Sequence, residues 1–280
     1  MHGSVLSRFY RNRANISSPT RATSPSLLRQ IAPTALAQFR PLAEAGNSIA
    51  QFYLGLAFQR GMGVVADAER AFVWYRRAAD LGEVKAQHNL AMLYLNGEGT
   101  SRDPHSAMQW LTRAANAGSG RAAHEIGLVF YRGDGVTRDY AQAREWWARA
   151  AKHGEARAGY NLGVLYRRGQ GVVRDVDTSR EWWHWAAERG QGEAQNALGS
   201  IYLKADGVAG DPALAWAWFR LAAESGLKVA QINVDLLRIQ LSESGLAQAE
   251  ARLIALRDEL ANKSPNIPSD ELRDGSSSSP

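Results

Sequence analysis

One repeating segment constrains this sequence more than any other feature. An aspartate recurs every 36 residues, and a tryptophan follows each aspartate by seven residues. The five pairs are Asp67 and Trp74, Asp103 and Trp110, Asp139 and Trp146, Asp175 and Trp182, and Asp211 and Trp218. Two alanines and a glycine close each unit in the same register. A period of this length is typical of a repeat array, in which each unit packs against its neighbours.

Each unit predicts two helices joined by a turn. In its first half, small and apolar residues recur at helical spacing, as at Ala158, Leu162 and Tyr166. In its second half, the tryptophan and the alanine pair recur at the same spacing, and we predict that every one of these tryptophans is buried in the core. A Gly-x-Gly sequence separates the halves, because glycine permits positive φ angles just past a helix end. The chain is therefore predicted to be all-α.

The recurring aspartate is interpreted as the N-cap of the second helix. Its carboxylate can accept hydrogen bonds from free backbone N–H groups and lies at the positive end of the helix dipole. The second helices are thus predicted to begin one residue later, at residues 68, 104, 140, 176 and 212. Pro104 and Pro212 stand at this first helical position, where proline is tolerated.

The repeat register also divides the chain into segments. These are a disordered basic segment (1–30), a half-repeat (31–46), five complete repeats (47–226), C-terminal capping helices (227–262) and a disordered tail (263–280). In the capping segment Asp235 and Arg238 replace the small and aromatic residues of earlier repeats. Polar residues at such positions are typical of a terminal repeat that faces solvent.

The N-terminal segment is rich in arginine and serine and contains no acidic residue. This composition is typical of an organellar transit peptide, but a disordered basic tail has the same composition. The first interpretation predicts a mitochondrial protein and the second a cytoplasmic one. A secretory signal peptide is not predicted, because the segment lacks a continuous apolar stretch. No apolar run reaches the roughly 20 residues that span a membrane, so no integral membrane segment is predicted.

Charge argues against nucleic acid as a partner. The formal net charge is +5, but six arginines in the first 43 residues account for more than this excess. The remainder carries 27 basic residues (33 minus 6) against 28 acidic residues, so it is close to neutral. A neutral body lacks the basic patch that nucleic-acid binding requires.

Catalytic and metal-binding patterns are absent from the sequence. The chain contains no cysteine, which excludes thiol nucleophiles and thiolate ligands. His88 and His124 occupy the same position in consecutive repeats. Packed helices lie about 8–10 Å apart, and two imidazoles at that separation lack the further ligands that a metal needs. We predict a protein that is not an enzyme and has no metal or cofactor.

Two sets of residues are candidates for binding a partner. The first lies on the first helices and mixes aromatic, imidazole, amide and guanidinium groups: Phe52, His88, His124, Tyr131, Tyr160, Arg167 and Asn196. Such a mixture suits an extended peptide or a partner helix. The second set is Trp185 and Leu221, where earlier repeats carry arginine. For the first set, packing against neighbouring helices is the alternative interpretation, and for the second set it is packing between repeat units.

The repeat resembles a known family. The residues that carry the resemblance are Ala158, Leu162, Gly163, Tyr166, Gly169, Gly171, Asp175, Trp182, Ala186, Ala187 and Gly190. Their pattern is similar to the Sel1-like repeat, a relative of the tetratricopeptide repeat, and it recurs in five full units. The resemblance implies a right-handed α/α solenoid with degenerate capping units at both ends and with the first helices on its concave side.

The family's known members imply a function. Most are adaptors, so we expect a non-catalytic interaction scaffold that binds a protein or peptide of unknown identity on the concave surface. Two alternatives stay open. Some cysteine-rich secreted members are described as β-lactamases, an activity that the lack of cysteine disfavours here. An assembly factor or accessory subunit of an organellar or membrane complex requires the N-terminal segment to be an address. The oligomeric state stays open.

Overall fold

A computed structural model describes residues 36–37, 39–204, 207–262 and 268, and this part of the chain is helical without strands. The basic N-terminal segment, nearly all of the C-terminal tail, and Ala205 in the fifth Gly-x-Gly position lie outside the described residues. The twelve described helices are α1 (Ser48–Arg60), α2 (Ala68–Asp80), α3 (Val84–Asn96), α4 (Pro104–Asn116), α5 (Gly120–Arg132), α6 (Tyr140–Lys152), α7 (Ala156–Arg168), α8 (Val176–Ala187), α9 (Gly192–Lys204), α10 (Pro212–Glu224), α11 (Lys228–Gln240) and α12 (Glu243–Asn262).

Odd-numbered helices are the first helices of the repeats, and even-numbered helices up to α10 are the second helices. The chain divides into two compact units, one up to Trp110 and one from Leu111 onward. In the first unit, residues 39–44 are also helical, and Phe39 and Ala43 pack with Leu54 of α1. Paired helices pack closely in the first, third, fourth and fifth repeats, as α1 does with α2 and α7 with α8. The predicted fold class, an all-α solenoid of two-helix repeats, is confirmed.

All five recurring aspartates cap the second helices, as predicted. Asp139 is representative: one carboxylate oxygen accepts hydrogen bonds from the backbone N–H groups of Ala141 and Gln142 at 2.9 and 3.0 Å. Asp67, Asp103, Asp175 and Asp211 make equivalent bonds. The second helices begin at the predicted residues because these bonds satisfy backbone donors that a helix leaves free at its start.

The two glycines of each turn have different roles. Gly97 ends α3 with a φ of 69°, a left-handed conformation that favours glycine. Gly99 has a φ of 68° and also lies against the backbone of Ala68, so that a side chain at Gly99 would collide with the Ala68 carbonyl. The second glycine is therefore required both by its positive φ angle and by its contact with the backbone of the preceding helix. The fifth repeat keeps this glycine as Gly207, whose φ is 76°.

The core of most repeats is an aromatic ring that lies on a glycine of the first helix. The ring of Trp147 covers Gly127, and the ring of Trp183 covers Gly163 so closely that neither glycine could carry a Cβ atom. Each indole N–H donates to a first-helix carbonyl, from Trp147 to His124 and from Trp183 to Tyr160, both at 3.1 Å. Gly55 with Tyr75 and Gly199 with Phe219 repeat the arrangement.

The prediction that every recurring tryptophan is buried is wrong for two of them. Trp110, Trp182 and Trp218 are buried, whereas Trp74 and Trp146 are half-buried. The guanidinium groups of Arg77 and Arg149 lie over these two rings, at 4.8 and 5.2 Å from the ring centroids. An arginine covers a ring only in part, because its charged end stays in water. The uniformly buried side chain is the one that follows each tryptophan.

Glutamines link the end of a second helix to the next first helix. The side-chain amides of Gln51, Gln87 and Gln195 donate to the carbonyls of Ala43, Ala79 and Ala187 at 3.0 to 3.3 Å. These carbonyls lie at helix C-termini, where the helix itself provides no N–H donors for the last carbonyl groups. In the third repeat Ala123 replaces the glutamine, and Arg149 donates to the Ala115 carbonyl at 3.1 Å instead.

Candidate partner-binding surface

The two predicted contact residues of the first unit are half-buried and already make contacts within it. The ring of Phe52 lies 5.3 Å from that of Tyr53 and 5.8 Å from that of Tyr75. His88 Nδ1 lies 3.2 Å from the side-chain oxygen of Asn89. Both residues therefore serve packing as well as any external contact.

In the second unit, the predicted contact residue His124 is buried. It is only 4% exposed, and its imidazole packs on the ring of Trp147. Its Nε2 lies 3.1 Å from the side-chain nitrogen of Asn161 on the next first helix. Asn196 acts in the same way, because its side-chain oxygen accepts a hydrogen bond from Asn233 at 2.9 Å. At these two positions the side chains bond between neighbouring first helices.

Tyr160 and Arg167 do lie at an open surface. They line a groove of about 310 Å³ between α7 and α9, in the size range of small ligand pockets. Its lining residues are Tyr160, Val164, Arg167, Arg168, Trp183, Ala197, Ser200, Ile201 and Lys204. The wall is therefore aromatic and aliphatic, and cationic groups stand around it. We call this feature the α7–α9 groove.

The charged residues that line the α7–α9 groove all carry a positive charge, and Glu193 is the acidic residue near Tyr160. Arg167, Arg168 and Lys204 contribute cationic groups, and none of the lining residues is acidic. Arg168 and Lys204 are exposed, and Arg167 is half-buried. Basic residues at helix C-termini are favoured by the helix dipole, which explains why they stand there at all. Together with low-dielectric aromatic walls, they create a site that attracts negative charge.

Tyr131 supports the groove without lining it. Its hydroxyl donates to the side-chain oxygen of Gln170 at 3.2 Å and accepts from the guanidinium of Arg168 at 3.5 Å. Its ring lies 5.4 Å from that of Trp147. Tyr131 therefore holds Arg168 at the mouth of the groove.

The hydroxyl of Tyr160 is neutral at physiological pH. Burial raises its pKa above the usual value of 10.0, and the nearby negative charge of Glu193 raises it further. A neutral phenol can both donate and accept a hydrogen bond. The Tyr160 carbonyl is already occupied by the Trp183 indole, so the hydroxyl is the group with which this residue can meet a ligand.

The second predicted patch is not an exposed surface at Trp185. Trp185 is 2% exposed and lies on Gly159 of α7, whose lack of a side chain makes room for the indole. The ring meets Trp182 edge to face at 5.8 Å, and the guanidinium of Arg189 lies 3.8 Å from its centroid. Leu221 is half-buried. Packing on α7 of the same repeat, rather than the packing between repeats that the sequence suggested as the alternative, accounts for the burial of Trp185.

Helix α11 carries an exposed apolar stripe that was not predicted from the sequence. Val229, Ile232, Leu236 and Ile239 are 48, 57, 53 and 83% exposed. They follow one another at intervals of three, four and three residues, so they share one face of the helix. The spacing was visible in the sequence, but the polar residues Asp235 and Arg238 suggested a hydrophilic end. We call these four residues the α11 stripe.

Metal-binding clusters and membrane-spanning helices are both missing from the described residues. No group of three histidine, aspartate or glutamate side chains there is arranged to hold a metal ion. Likewise, none of the described helices combines the length and the apolar character needed to cross a membrane.

The paired helices, the repeating caps and the ring-on-glycine core define an α/α repeat protein. Comparison with known families is more specific. The Sel1 repeat matches five consecutive segments, residues 48–83, 84–119, 120–155, 156–191 and 192–227. The chain therefore belongs to the Sel1 repeat family, whose members are in general protein-interaction scaffolds and typically non-catalytic. Among curated proteins, none matches the chain.

Solved structures agree with this assignment. A Sel1 repeat protein from Oxalobacter formigenes is 29% identical, with a TM-score of 0.68 over 78% of this chain and 88% of its own. A protective antigen with an SLR fold from uropathogenic Escherichia coli is 32% identical, with a TM-score of 0.66 over 78% of this chain. The match covers 48% of that antigen, so this chain spans about half of its length. An immunity protein from Pseudomonas aeruginosa, 19% identical with a TM-score of 0.50 over 80% of this chain and 87% of its own, shares the fold.

Proposed function

We propose that the chain is a non-catalytic scaffold that holds an acidic segment of a partner protein in the α7–α9 groove. The observation that carries the proposal is the combination of Tyr160 and Trp183 with three cationic side chains and no acid in one groove. Aromatic walls offer apolar contact area with little conformational freedom to lose. The cations supply attraction and select against basic segments.

The dimensions of the groove favour an extended segment. A volume of about 310 Å³ accommodates a few side chains rather than a folded domain. Arg167 and Arg168 are neighbours at the C-terminus of α7, and Lys204 ends α9. Carboxylates spaced along a peptide can pair with these groups, and guanidinium groups favour bidentate pairing.

Affinity capture with three baits tests this proposal. The groove variant is Arg167→Glu with Lys204→Glu. The matched control, Arg121→Glu with Lys152→Glu, changes the charge equally at two exposed residues outside the groove. Partners captured by the wild type are identified, and the purified partner segment is then titrated against each bait by calorimetry. Since two attractive pairs become repulsive, we expect at least about 10-fold weaker binding for the groove variant.

The control should retain wild-type affinity, and binding to the wild type should weaken as salt is added. A partner that binds the groove variant and the wild type equally would contradict the proposal. A partner segment rich in lysine and arginine would contradict the predicted acidic chemistry.

A further inference from the structure

We propose that the chain self-associates through α11, with the α11 stripe of one copy packed against the α11 stripe of a second copy. The spacing of the four residues is the a and d pattern of a two-helix seam. Such a seam is narrow and needs one partner helix to cover it. This proposal is independent of the groove and its acidic ligand.

The exposed large apolar side chains are concentrated on the α11 stripe. Of the ten large apolar side chains exposed in the described residues, four lie on α11. The opposite side of the helix buries Ala230, Val234 and Leu237. Single exposed apolar side chains are normal in a protein surface, but an aligned row marks an interaction site. Helix α11 is thus apolar on two sides, and the described part of the chain covers only one of them.

Equivalent positions in earlier repeats show what this face normally contacts. In α7 the corresponding residues are Tyr160, Val164 and Arg167, which face α9 across the groove. Asn196 of α9 corresponds to Ile232 and bonds to Asn233 of α11. In the second unit this face is therefore the one on which α7 meets α9 and α9 meets α11.

Helix α11 has no following first helix in the described part of the chain. Helix α12 packs against α10 instead. Two ion pairs hold it there, Arg252 with Asp211 at 3.4 Å and Arg257 with Glu224 at 2.7 Å. The α11 stripe is thus a stacking face that α12 leaves open.

A second copy fits this face better than an acidic partner does. The occupant that the repeat geometry provides for is another first helix, and α11 of a second copy brings a matching apolar row. The same patch on both copies gives a closed two-fold contact. Lys228 and Asp235 flank the stripe on one side, and Asn233 and Gln240 flank it on the other. This mixed border lacks the row of cations that would select an acidic segment.

The contact area limits the strength of the dimer. A helix of 13 residues is about 20 Å long, so the contact is smaller than the roughly 800 Å² per partner of a standard interface. We therefore expect a reversible dimer with a dissociation constant of about 10–100 μM.

Sedimentation velocity of the full chain tests the proposal. The stripe variant is Ile232→Lys with Ile239→Lys. The matched control, Val173→Lys with Ile254→Lys, adds the same charge at residues that are 88 and 60% exposed and lie outside the stripe. Over about 1–300 μM, the wild type and the control should pass from monomer to dimer, while dimerisation of the stripe variant should weaken at least about 100-fold.

A spin label on α11 tests directly whether the contact between the two copies lies at this helix. Because the chain contains no cysteine, Gln240→Cys provides a single attachment site on an exposed residue beside the stripe. Dipolar spectroscopy should give one short distance between copies, and the stripe substitutions should abolish it. A wild type that stays monomeric would overturn the proposal, even if a foreign helix binds α11. Dimerisation that survives the stripe substitutions would overturn it as well. The groove variant should dimerise like the wild type, so failure of one proposal leaves the other standing.

Discussion

The third and fourth repeats have the same length and register, yet they bury their tryptophans differently. In the third repeat, Trp147 is buried on Gly127, while Trp146 is half-buried beneath Arg149. In the fourth repeat, Trp182, Trp183 and Trp185 are all buried. The difference begins on the first helix, where the third repeat has Ala123 and the fourth has Gly159. Only the glycine leaves room for an indole at position 185.

The comparison shows that one small residue changes how a whole repeat is packed. With Gly159, the Trp185 indole enters the space between helices and covers Trp182. With Ala123, an arginine stands at the corresponding position and instead bonds to the Ala115 carbonyl of the preceding repeat. The fourth repeat thus gains apolar burial, and the third gains a polar link to its neighbour.

The largest predicted difference between the two repeats concerns the recurring tryptophan. Trp182→Ala should destabilise the protein by about 3–5 kcal/mol, because it leaves a cavity in a closed core. Trp146→Ala should cost about 1 kcal/mol, because the ring is half-exposed and its removal opens no enclosed space. Urea denaturation followed by circular dichroism measures both free energies of unfolding. Equal losses would show that the two repeats are packed alike.

An intermediate effect is expected at the small residue itself. Gly159→Ala should destabilise by about 1–2 kcal/mol, because the clash with Trp185 outweighs the gain in helix propensity. The matched control combines Gly159→Ala with Trp185→Arg and so recreates the residue types of the third repeat. In that background the alanine should cost nothing relative to Trp185→Arg alone. Thermal unfolding compares the variants, and an equal cost in both backgrounds would refute the contact.

The smallest effect concerns the helix caps and depends on pH. Asp175→Ala and Asp139→Ala should each cost about 1 kcal/mol near neutral pH. Asp175 differs because Thr178 donates both its backbone N–H and its hydroxyl to the carboxylate, the latter at 2.8 Å, whereas Gln142 at the equivalent position of the third repeat has no hydroxyl. The Thr178 backbone bond, followed by the hydroxyl bond, lowers the pKa of Asp175 below 3.8.

The sign of the pH dependence follows from this shift. A carboxylate whose pKa is lower in the folded state stabilises the fold above the unfolded pKa. The contribution of Asp175 should therefore be complete above pH 3.8 and disappear as the pH falls through the lower folded value. Asp175→Asn keeps a capping side chain but cannot titrate. Urea midpoints of the wild type and this variant should converge below pH 3.8, and a constant difference would contradict the assignment.

Much of the fold follows from the sequence because its signals are local. An aspartate before a helix and a glycine after one act on backbone groups within a few residues, so Asp139 and Gly97 could be assigned from spacing alone. The family resemblance rests on the same local columns. Tryptophan burial could not be assigned in this way, because it depends on a residue of the paired helix. The role of Gly159 is visible only when α7 and α8 are placed together.

The candidate surface, like the fold, could be predicted from the sequence only in part. Tyr160 and Arg167 were predicted as surface residues because they lie on the first-helix face, and the structure places both in the lining of the α7–α9 groove. The burial of His124 was not predicted, because the sequence does not show that Asn161 of the next first helix bonds to it. The α11 stripe did have a sequence signal, the regular spacing from Val229 to Ile239. It was missed because Asp235 and Arg238 were given more weight than the apolar row.

The glutamine links make three of the modules dependent on their successors. The carbonyls of Ala43, Ala79 and Ala187 are completed by side chains that come eight residues later, in the following module. A chain cut at one of these three junctions would lose the glutamine donor and fray at the new end, whereas a duplicated module that carries such a glutamine would supply its own donor. Such an array can lengthen by gene duplication more readily than it can be shortened.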